Sequence, residues 1–255
     1  MTFFVELPIV GEVTLWHHTE DLPAVDHDRT VVKPVATLQR RPDDDDREEA
    51  TGSLAHSLDG VEYGVKHDVL KQQVVPGPPR GFLIISPLSE TAIEEREGID
   101  VLCLSRGVTS DAFTDAPWLL GGVKTLSYAV NVAALRYARS QGADDAIFTS
   151  TDGYLLEGPT SGLVIAADDG LWTTPTGPTG ILNSITVSTV FEAAGEDGVQ
   201  TSTRLMKHGE VLRAQGAWLL SSVRGVAPIL SIDGHPVPQD EDMTHRLRTW
   251  AGSEN

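Results

Sequence analysis

The amino-acid sequence predicts a mixed fold of α-helices and β-strands (α+β, mixed α/β) in which much of the sheet is antiparallel. From residue 81 onward, short apolar runs bounded by Gly, Pro and Asp recur, which is typical of strands joined by tight turns. Two longer segments repeat their apolar residues at a spacing of three and four, which is typical of helices with one apolar face. A chain of 255 residues can form one large domain or two small ones, and either can bury a core.

The first 75 residues give the weakest pattern. Short apolar pieces, FFVELPIV and VEYGV, alternate with polar stretches, and residues 40–53 (RRPDDDDREEATGS) form a run of charges with Pro and Gly. Such a run has too few apolar side chains to pack against a core. A solvated loop or a disordered segment is therefore expected there.

The middle of the chain gives clearer signals. Residues 81–86 (GFLIIS) and 99–105 (IDVLCLS) are predicted strands. A helix is predicted after Lys124, and Gly142 is a natural end for it. One face of this helix is expected to be buried and carries the apolar residues at positions 126, 129, 130, 133, 134 and 137.

The remainder of the chain predicts a meander followed by alternating elements. Four short strands are expected in succession, AIFTS, YLLEG, GLVIAA and GLWTT, separated by TDG and ADDG turns. A helix then begins near Asn183 or Ser184 and continues through VSTVFEAAG. After it come a strand-like QTSTRL, a short helix in MKHGEVLRA, strands in AWLLSSV and PILSIDG, and a polar helix from about Asp240.

Composition narrows the possible functions. The net charge of −18 repels the phosphate backbone of nucleic acids, so nucleic-acid binding is not expected. No apolar run is long enough to span a bilayer, and the N-terminal run lacks the basic residues of a signal peptide, so a cytoplasmic protein is expected. Cys103 is the only cysteine, which leaves no intramolecular disulfide and no all-cysteine metal site.

The motifs for phosphate binding, dinucleotide binding, serine hydrolysis and metal binding are incomplete or absent. GGVKT resembles the end of a phosphate-binding P-loop, but Val123 separates the glycines from Lys124. No G-x-G-x-x-G follows a predicted strand, no G-x-S-x-G is present, and the eight histidines include no H-x-x-x-H pair. No metal ion is therefore expected. The groups left for chemistry are an amine, a carboxylate and several hydroxyls.

Lys124 has two interpretations. It is the only formally charged residue between Ala116 and Leu135, and its neighbours include Trp118 and Leu119. Such a lysine can pack its stem against apolar side chains while its ammonium reaches water. It can instead be kept for covalent chemistry, because removal from water favours the neutral, nucleophilic amine. The residues alone leave both interpretations open.

A carboxylate and three hydroxyl-bearing turns complete the candidate set. Glu157 ends the predicted strand YLLEG, where it is either a surface group or a carboxylate directed into a cleft beside Lys124. Each hydroxyl is a common cap or turn residue, but hydroxyls at a helix N-terminus also bind phosphate. Together these groups suggest a phosphate-bearing cofactor with an aldehyde for the lysine and a ring nitrogen for the glutamate. The hydroxyls in question are Thr160 and Ser161, Ser184 and Thr186, and Ser221 and Ser222.

Several ordered motifs carry a resemblance to a known family. They are the run WLLGGVKTLSYAVN, the segments GADDAIF and DG-x-LLEG, TP followed by GILNSIT, and WLLSSVRGVAPI. This pattern resembles the catalytic domain of the class IV (fold-type IV) pyridoxal-phosphate enzymes, over roughly residues 80 to 235. That family includes branched-chain and D-amino-acid aminotransferases and 4-amino-4-deoxychorismate lyase. KTLSYAVN and LLSSVRG are most similar to the lyase-like members.

The resemblance implies pyridoxal 5'-phosphate as the cofactor and gives roles to individual residues. Lys124 is implied to form the Schiff base with its aldehyde and to move the proton at the substrate α-carbon. Glu157 is implied to pair with the pyridinium nitrogen, so that the ring acts as an electron sink. The other cofactor-binding residues implied in this way are Tyr128, Ser161, Ile185, Thr186, Ser221 and Ser222.

Three features depart from the family pattern. Ser184 stands where the family's G-I-T motif has glycine, and Gly162 replaces an asparagine common in its transaminases. The family's N-terminal F-E-T strand and H-L-x-R-L helix start are not found, and Arg40 is the nearest candidate for the arginine of that second motif. The domains expected from the resemblance are a small, divergent N-terminal domain at 1–112 and a larger cofactor-binding domain at 113–255, with an antiparallel-rich sheet or barrel and helices.

The implied activity is that of 4-amino-4-deoxychorismate lyase, which releases pyruvate and leaves 4-aminobenzoate for folate biosynthesis. Transamination of D-amino acids or branched-chain amino acids is the first alternative. A catalytically impaired, cofactor-binding homologue is the second. In each enzymatic case the partner is a small-molecule amine or amino acid, and the resemblance also implies a homodimer.

Overall fold

The computed structural model describes the backbone of four strands at 3–7, 52–58, 61–70 and 80–87, and both backbone and side chains of residues 88–125 and 127–252. The chain divides into two compact units, Met1–Ser89 and Glu90–Asn255. The expected domain boundary at 112/113 lies inside the second unit and stays a prediction.

The described strands of the first unit are β1 Phe3–Leu7, β2 Gly52–Leu58, β3 Val61–Leu70 and β4 Arg80–Pro87. They form one antiparallel sheet in the order β1-β4-β3-β2. The strand predicted at 81–86 is confirmed within β4, and parts of FFVELPIV and VEYGV lie in β1 and β3. The predicted loop at 40–53 lies outside the described residues, except that Gly52 and Ser53 begin β2.

The second unit combines five helices with ten strands in its described residues, whereas the sequence predicts this mixture but only four helices and eight strands. The helices are α1 Glu90–Glu94, α2 Ala129–Ser140, α3 Ile185–Glu196, α4 His208–Val211 and α5 Glu241–Trp250. The strands before α3 are β5 Ile99–Ser105, β6 Asp145–Thr149, β7 Tyr154–Leu155, β8 Gly162–Ala167 and β9 Gly170–Thr173. The strands after it are β10 Thr201–Thr203, β11 Met206–Lys207, β12 Gly216–Ser221, β13 Gly225–Ile232 and β14 His235–Pro236. Each described helix is too short or too polar to cross a membrane.

The predicted four-strand meander is wrong in its pairing. The sheet of the second unit runs β10-β9-β8-β12-β13-β5-β6-β7-β11, with β14 on β13, so that β7 and β8 are not neighbours. β12 and β13, from far along the chain, and β5, from before the meander, lie between the two halves of the expected meander. Three pairs are parallel, β13–β5, β5–β6 and β10–β9, and the others are antiparallel. Local turn signals mark where strands end but do not encode pairing between distant strands.

The central strands are buried on both faces. In β8, Leu163 and Ile165 point into one apolar cluster while Val164 and Ala166 point into another. Strand side chains alternate between the faces of a sheet, so a continuous apolar run such as GLVIAA requires a core on each side. α3 and α5 supply the second core, through Val190 and other side chains. This packing fixes β8, whose first residue, Gly162, lies beside the candidate site.

Helix α2 is confirmed, but its expected buried face is wrong. The helix buries Ala134 and Ala138, whereas Val130 is 64% exposed and Tyr137 53% exposed. The side that packs against the sheet is therefore rotated away from most of the apolar stripe. Periodicity shows that a stripe exists, but it does not show what covers it.

Candidate functional site

Lys124 lies in a loop that two glycines and one aromatic ring hold in place. The Phe113 ring packs so closely against Gly121 and Gly180 that a Cβ on either glycine would come within 2.4 Å of it. The backbone N–H of Gly122 also donates to the carbonyl oxygen of Gly180 at 3.1 Å. The loop that carries Lys124 is thereby fixed against the segment that leads to α3.

The apolar neighbours of Lys124 do not bury it. Trp118 is 75% exposed, Leu119 52%, Leu120 55% and Val123 47%, while Lys124 itself is partly buried. The expectation of a shielded hydrophobic setting is therefore wrong for this single chain. The positive charge of Lys124 acts on Glu157 and lowers the pKa of that carboxyl.

Glu157 is a buried carboxyl with a polar contact at each of its two oxygens and a raised pKa. Its Oε2 accepts a hydrogen bond from the backbone N–H of Leu182 at 3.1 Å, and its Oε1 lies 3.5 Å from Nη1 of Arg106. Burial raises the pKa of Glu157 to about 7, although the Leu182 N–H, Arg106 and Lys124 all oppose that rise. A carboxyl with this pKa exchanges its proton readily near neutral pH and gains from a further cationic partner.

Arg106 is a site residue that sequence reasoning missed. It follows β5 directly, and its guanidinium carbon lies 5.7 Å from the ring centre of Phe113 and 5.9 Å from that of Phe148. Its Nη1 is buried and has no hydrogen-bond acceptor within the part of the chain that the structure describes. The only available signal was a cation directly after a predicted strand, in LCLSRG.

The start of α3 carries a pair of hydroxyls. Thr186 Oγ1 and Ser222 Oγ are 3.1 Å apart, although they belong to distant parts of the chain. Ser184 is the N-cap of the helix, and its hydroxyl accepts from the N–H of Val187. The N–H groups of Ile185 and Thr186 have no acceptor inside the helix, because the first turn of any helix lacks them. Two hydroxyls beside free N–H groups form a good phosphate site.

One turn connects the carboxylate to this helix start. The turn from Glu157 to Gly162 is closed by a hydrogen bond from Gly158 N–H to the carbonyl oxygen of Ser161 at 2.8 Å. At its end, a Cβ on Gly162 would lie 2.6 Å from Cγ2 of Val187 and 3.2 Å from Cβ of Ser184. The departure at Gly162 thus has a physical reason, since α3 packs where a side chain would project.

Ser161 and Ser221 have a different environment from Thr186 and Ser222. The Ser161 hydroxyl accepts from Nη2 of Arg224 at 3.1 Å, and the Ser221 hydroxyl accepts from the Arg224 backbone N–H at 3.2 Å. Arg224 also pairs with Glu95 at 2.7 Å and Asp145 at 2.8 Å, all largely buried. This ionic cluster supports the turn that carries Ser222. A direct cofactor contact by Ser161 or Ser221 stays a prediction.

The remaining candidates lie apart from these contacts or beyond the described residues. Tyr128 directly precedes α2, where its carbonyl oxygen accepts from the Val132 N–H, and its side chain is partly buried. Arg40 lies outside the described residues. Within the described residues, no group of three His, Cys, Asp or Glu side chains could hold a metal ion.

The residues present fit pyridoxal phosphate. Lys124 supplies an amine for its aldehyde, and Glu157 is a buried carboxyl that gains from a protonated ring nitrogen. The Thr186 and Ser222 hydroxyls, with the free N–H groups of α3, supply donors for its phosphate. The amine, the carboxyl and the phosphate donors are linked by the segment before α3, because this segment contacts both the Lys124 loop and Glu157.

Comparison with known proteins gives a consistent result. Residues 39–232 match the family model described as amino-transferase class IV. A bifunctional aminodeoxychorismate lyase / D-amino acid transaminase of Mycobacterium tuberculosis is 39% identical over 168 residues, which cover 63% of this chain and 58% of that relative. This chain therefore spans a little over half the length of that relative.

Two solved structures share the fold. The fold IV transaminase CpuTA1 of Curtobacterium pusillum is 39% identical, with a TM-score of 0.67 over 76% of this chain and 64% of that one. A hypothetical aminotransferase of Mycobacterium tuberculosis in its PLP-bound form is 34% identical, with a TM-score of 0.70 over 76% and 69% of the two chains. The chain belongs to the amino-transferase class IV family, a family of fold-type IV enzymes whose cofactor is pyridoxal phosphate.

Proposed function

We propose that this protein is a pyridoxal-phosphate enzyme with 4-amino-4-deoxychorismate lyase as its activity. The observation that carries the proposal is that residues 180–182 contact both the loop of Lys124, through the Gly122 N–H, and the buried carboxyl of Glu157, through the Leu182 N–H. The lyase activity is favoured because the 39% identical relative is named for it. The reaction releases pyruvate and leaves 4-aminobenzoate, a precursor in folate biosynthesis.

Each residue has a defined task in this proposal. Lys124 holds the cofactor covalently and afterwards moves the proton at the substrate α-carbon. Glu157 keeps a proton on the ring nitrogen, and the hydroxyls of Thr186 and Ser222 orient the phosphate with the first turn of α3. When bound, the cofactor supplies an electron sink for the charge that develops at the substrate. Tyr128, Ser161, Ile185 and Ser221 are proposed to line the same site.

Two other functions are kept as alternatives. Transamination of D-amino acids has support because the same relative is also named a D-amino acid transaminase. Transamination of branched-chain amino acids rests on the resemblance of the motifs and on a relative, 31% identical over 111 residues, that is named a branched-chain-amino-acid aminotransferase. A catalytically impaired cofactor-binding homologue is the third candidate, because the family's N-terminal motifs are not found in residues 1–75.

The cofactor assignment is tested by covalent labelling of the full chain. After incubation with pyridoxal 5'-phosphate, the protein should be yellow, and borohydride reduction should fix a pyridoxyl group on the tryptic peptide that contains Lys124. Lys124→Met should lose both signals because it lacks the amine. Lys207→Met is the matched control, since Lys207 lies over the ring of Tyr154 in another part of the second unit. A label that survives in Lys124→Met contradicts the proposal.

The choice among activities needs product assays on the wild-type chain. The lyase proposal predicts pyruvate and 4-aminobenzoate in equal amounts from 4-amino-4-deoxychorismate, without an added keto acid. Amino transfer that depends on a keto acid, with no pyruvate released, supports a transaminase instead. A yellow protein that turns over neither class of substrate supports the impaired homologue.

The proposal includes a homodimer and a cytoplasmic location. The dimer is supported by the exposed apolar residues of the second unit, among them Trp118 and Ile185, which is 67% exposed. The location is an expectation from the sequence. The partners proposed are a small amine or amino-acid substrate and a second copy of the chain.

A further inference from the structure

We propose that Arg106 is a positioning residue of the cofactor site, whose guanidinium favours the ionised form of Glu157 and directs this carboxylate at a protonated ring nitrogen. This inference rests on the proposed function, because Glu157 has such a partner only in a pyridoxal-phosphate enzyme. It concerns a residue that the sequence did not single out.

The geometry divides the two oxygens of Glu157 between two donors. Oε2 is held by the backbone N–H of Leu182, which belongs to the segment before α3. Oε1 faces Nη1 of Arg106 at 3.5 Å, which is an ion-pair distance but too long for a direct hydrogen bond. The carboxylate is thus fixed on one side and attracted on the other, and Oε1 remains able to accept a shorter hydrogen bond.

Aromatic rings and the backbone fix the guanidinium itself. It lies within 6 Å of the ring centres of both Phe113 and Phe148. The backbone N–H of Arg106 donates to the carbonyl oxygen of Thr149 at 2.8 Å, which fixes the point from which the side chain extends. The Nη1 atom is buried, and among residues 88–125 and 127–252 it has no hydrogen-bond acceptor. A buried donor without an acceptor is costly, and the ion pair with Oε1 of Glu157 is the contact that offsets this cost among the described residues.

Arg106 has a constant positive charge, whereas the charge of Lys124, the other cation that acts on Glu157, changes. Among the described residues, the charged groups that act on Glu157 are Arg106, after β5, and Lys124, before α2. The Lys124 nitrogen changes its bonding and its charge when it holds the cofactor or moves a proton. Arg106 stays charged at all working pH values, so it can oppose the effect of burial on Glu157 throughout.

The experiment measures the titration of Glu157 in the full chain without added cofactor. The carbonyl band of the protonated carboxyl is followed by infrared spectroscopy, with Glu157→Gln subtracted to isolate it. Arg106→Gln should raise the titration midpoint by about one pH unit, because it removes an opposite charge near the carboxyl. Arg106→Lys keeps the charge and should shift the midpoint much less.

Matched variants separate a local charge effect from a general loss of structure. Arg204→Gln removes another arginine that pairs with a glutamate, Glu210 at 3.0 Å, and lies over an aromatic ring, Trp172 at 3.6 Å. It should leave the Glu157 midpoint unchanged. Phe113→Leu keeps Arg106 but removes one ring that holds it, and should raise the midpoint by a smaller amount than Arg106→Gln. This variant gives a second test if Arg106→Gln does not fold.

The inference is overturned if Arg106→Gln titrates like the wild type, or if Arg106→Gln and Arg106→Lys shift the midpoint equally. It is also overturned if Phe113→Leu has no effect. These results are independent of the labelling of Lys124, which decides the proposed function. A wild type that is labelled by pyridoxal 5'-phosphate while Arg106→Gln leaves the midpoint in place would reject the role of Arg106 alone.

Discussion

At the scale of single residues, the buried carboxyl of Glu157 makes the stability of the folded chain depend on pH. Its folded-state pKa is raised to about 7, above the ordinary 4.5, chiefly because burial disfavours the charged form. The folded chain therefore binds more protons than the unfolded chain between these two values. It follows that the contribution of Glu157 to stability is fully present below pH 4.5 and is lost as the pH rises through 7.

Glu157→Gln should remove this dependence in the cofactor-free chain. Between the folded and unfolded pKa values, the wild type is expected to lose up to about 3 kcal/mol of unfolding free energy relative to the variant, because each pH unit contributes about 1.4 kcal/mol. Urea unfolding at a series of pH values measures this difference. Wild-type and variant curves that stay parallel from pH 4.5 to pH 7 would contradict the raised pKa.

The sequence could predict some of these residues and not others. Lys124 and Glu157 are recognisable because family motifs surround them, and those motifs also predict that the two lie close together. Arg106 lies in a segment that the sequence marks only as a turn. Its importance arises from contacts with residues 113, 148 and 157, which no local pattern encodes. Arg224 lies within a quoted motif, LLSSVRG, but only the fold brings Glu95 and Asp145 to it.

At the scale of elements, the position of the N-terminus of α3 depends on the absence of a side chain at Gly162. Gly162 ends the turn that begins at Glu157, and α3 occupies the space in which its Cβ would lie. The helix start, its cap at Ser184 and the hydroxyl of Thr186 are therefore placed by contact with the first residue of β8. The asparagine that many transaminases of the family have here would not fit without a shift of the helix.

Gly162→Ala should destabilise the protein by about 1–3 kcal/mol, as expected for overpacking of a close contact. The cost should be smaller in a Val187→Ala background, because Cγ2 of Val187 is the nearest atom at 2.6 Å. Chemical denaturation of the four proteins of this cycle measures the coupling. Additive effects of the two substitutions would show that Val187 does not restrict position 162.

Gly195→Ala is the matched control for this cycle. Gly195 lies in the same helix, and a Cβ there would meet nothing within 4 Å. Alanine favours a helix over glycine, so this variant should be more stable by up to about 1 kcal/mol. The two glycine substitutions are thus expected to have opposite signs.

At the scale of the whole molecule, the helices and strands follow from local pattern but the sheet order does not. Most element bounds of the second unit agree with the sequence prediction, because apolar runs and turn residues define them. The predicted meander failed because β12, β13 and β5 lie between its halves. Pairing depends on which strands can be buried on both faces, and that is a property of the complete core.

The exposed stripe of α2 predicts how two copies of the chain would associate. Val130, Ala133 and Tyr137 lie on one side of the helix and are exposed. Val130→Asp should dissociate the proposed homodimer, because a charge in an apolar interface is costly. Sedimentation velocity at several protein concentrations measures the change.

Val132→Asp is the control for this prediction. Val132 is 42% exposed on the same helix, but it points away from the stripe. It should leave the dimer intact. A wild type that sediments as a monomer at all concentrations, or equal effects of both substitutions, would reject this interface.

The contact of Phe113 with Gly121 and Gly180 also constrains when the protein can acquire its cofactor during synthesis. The ribosome completes residue 124 well before residues 180 and 222, so the nascent chain exposes the reactive amine before its acidic and hydroxyl partners can be assembled. Until the ring of Phe113 meets the second glycine, an aldehyde that reaches this amine is held by the covalent bond alone, which is reversible. In the proposed function, stable capture of the cofactor is therefore expected late in the folding of the second unit, after residue 222 has joined it.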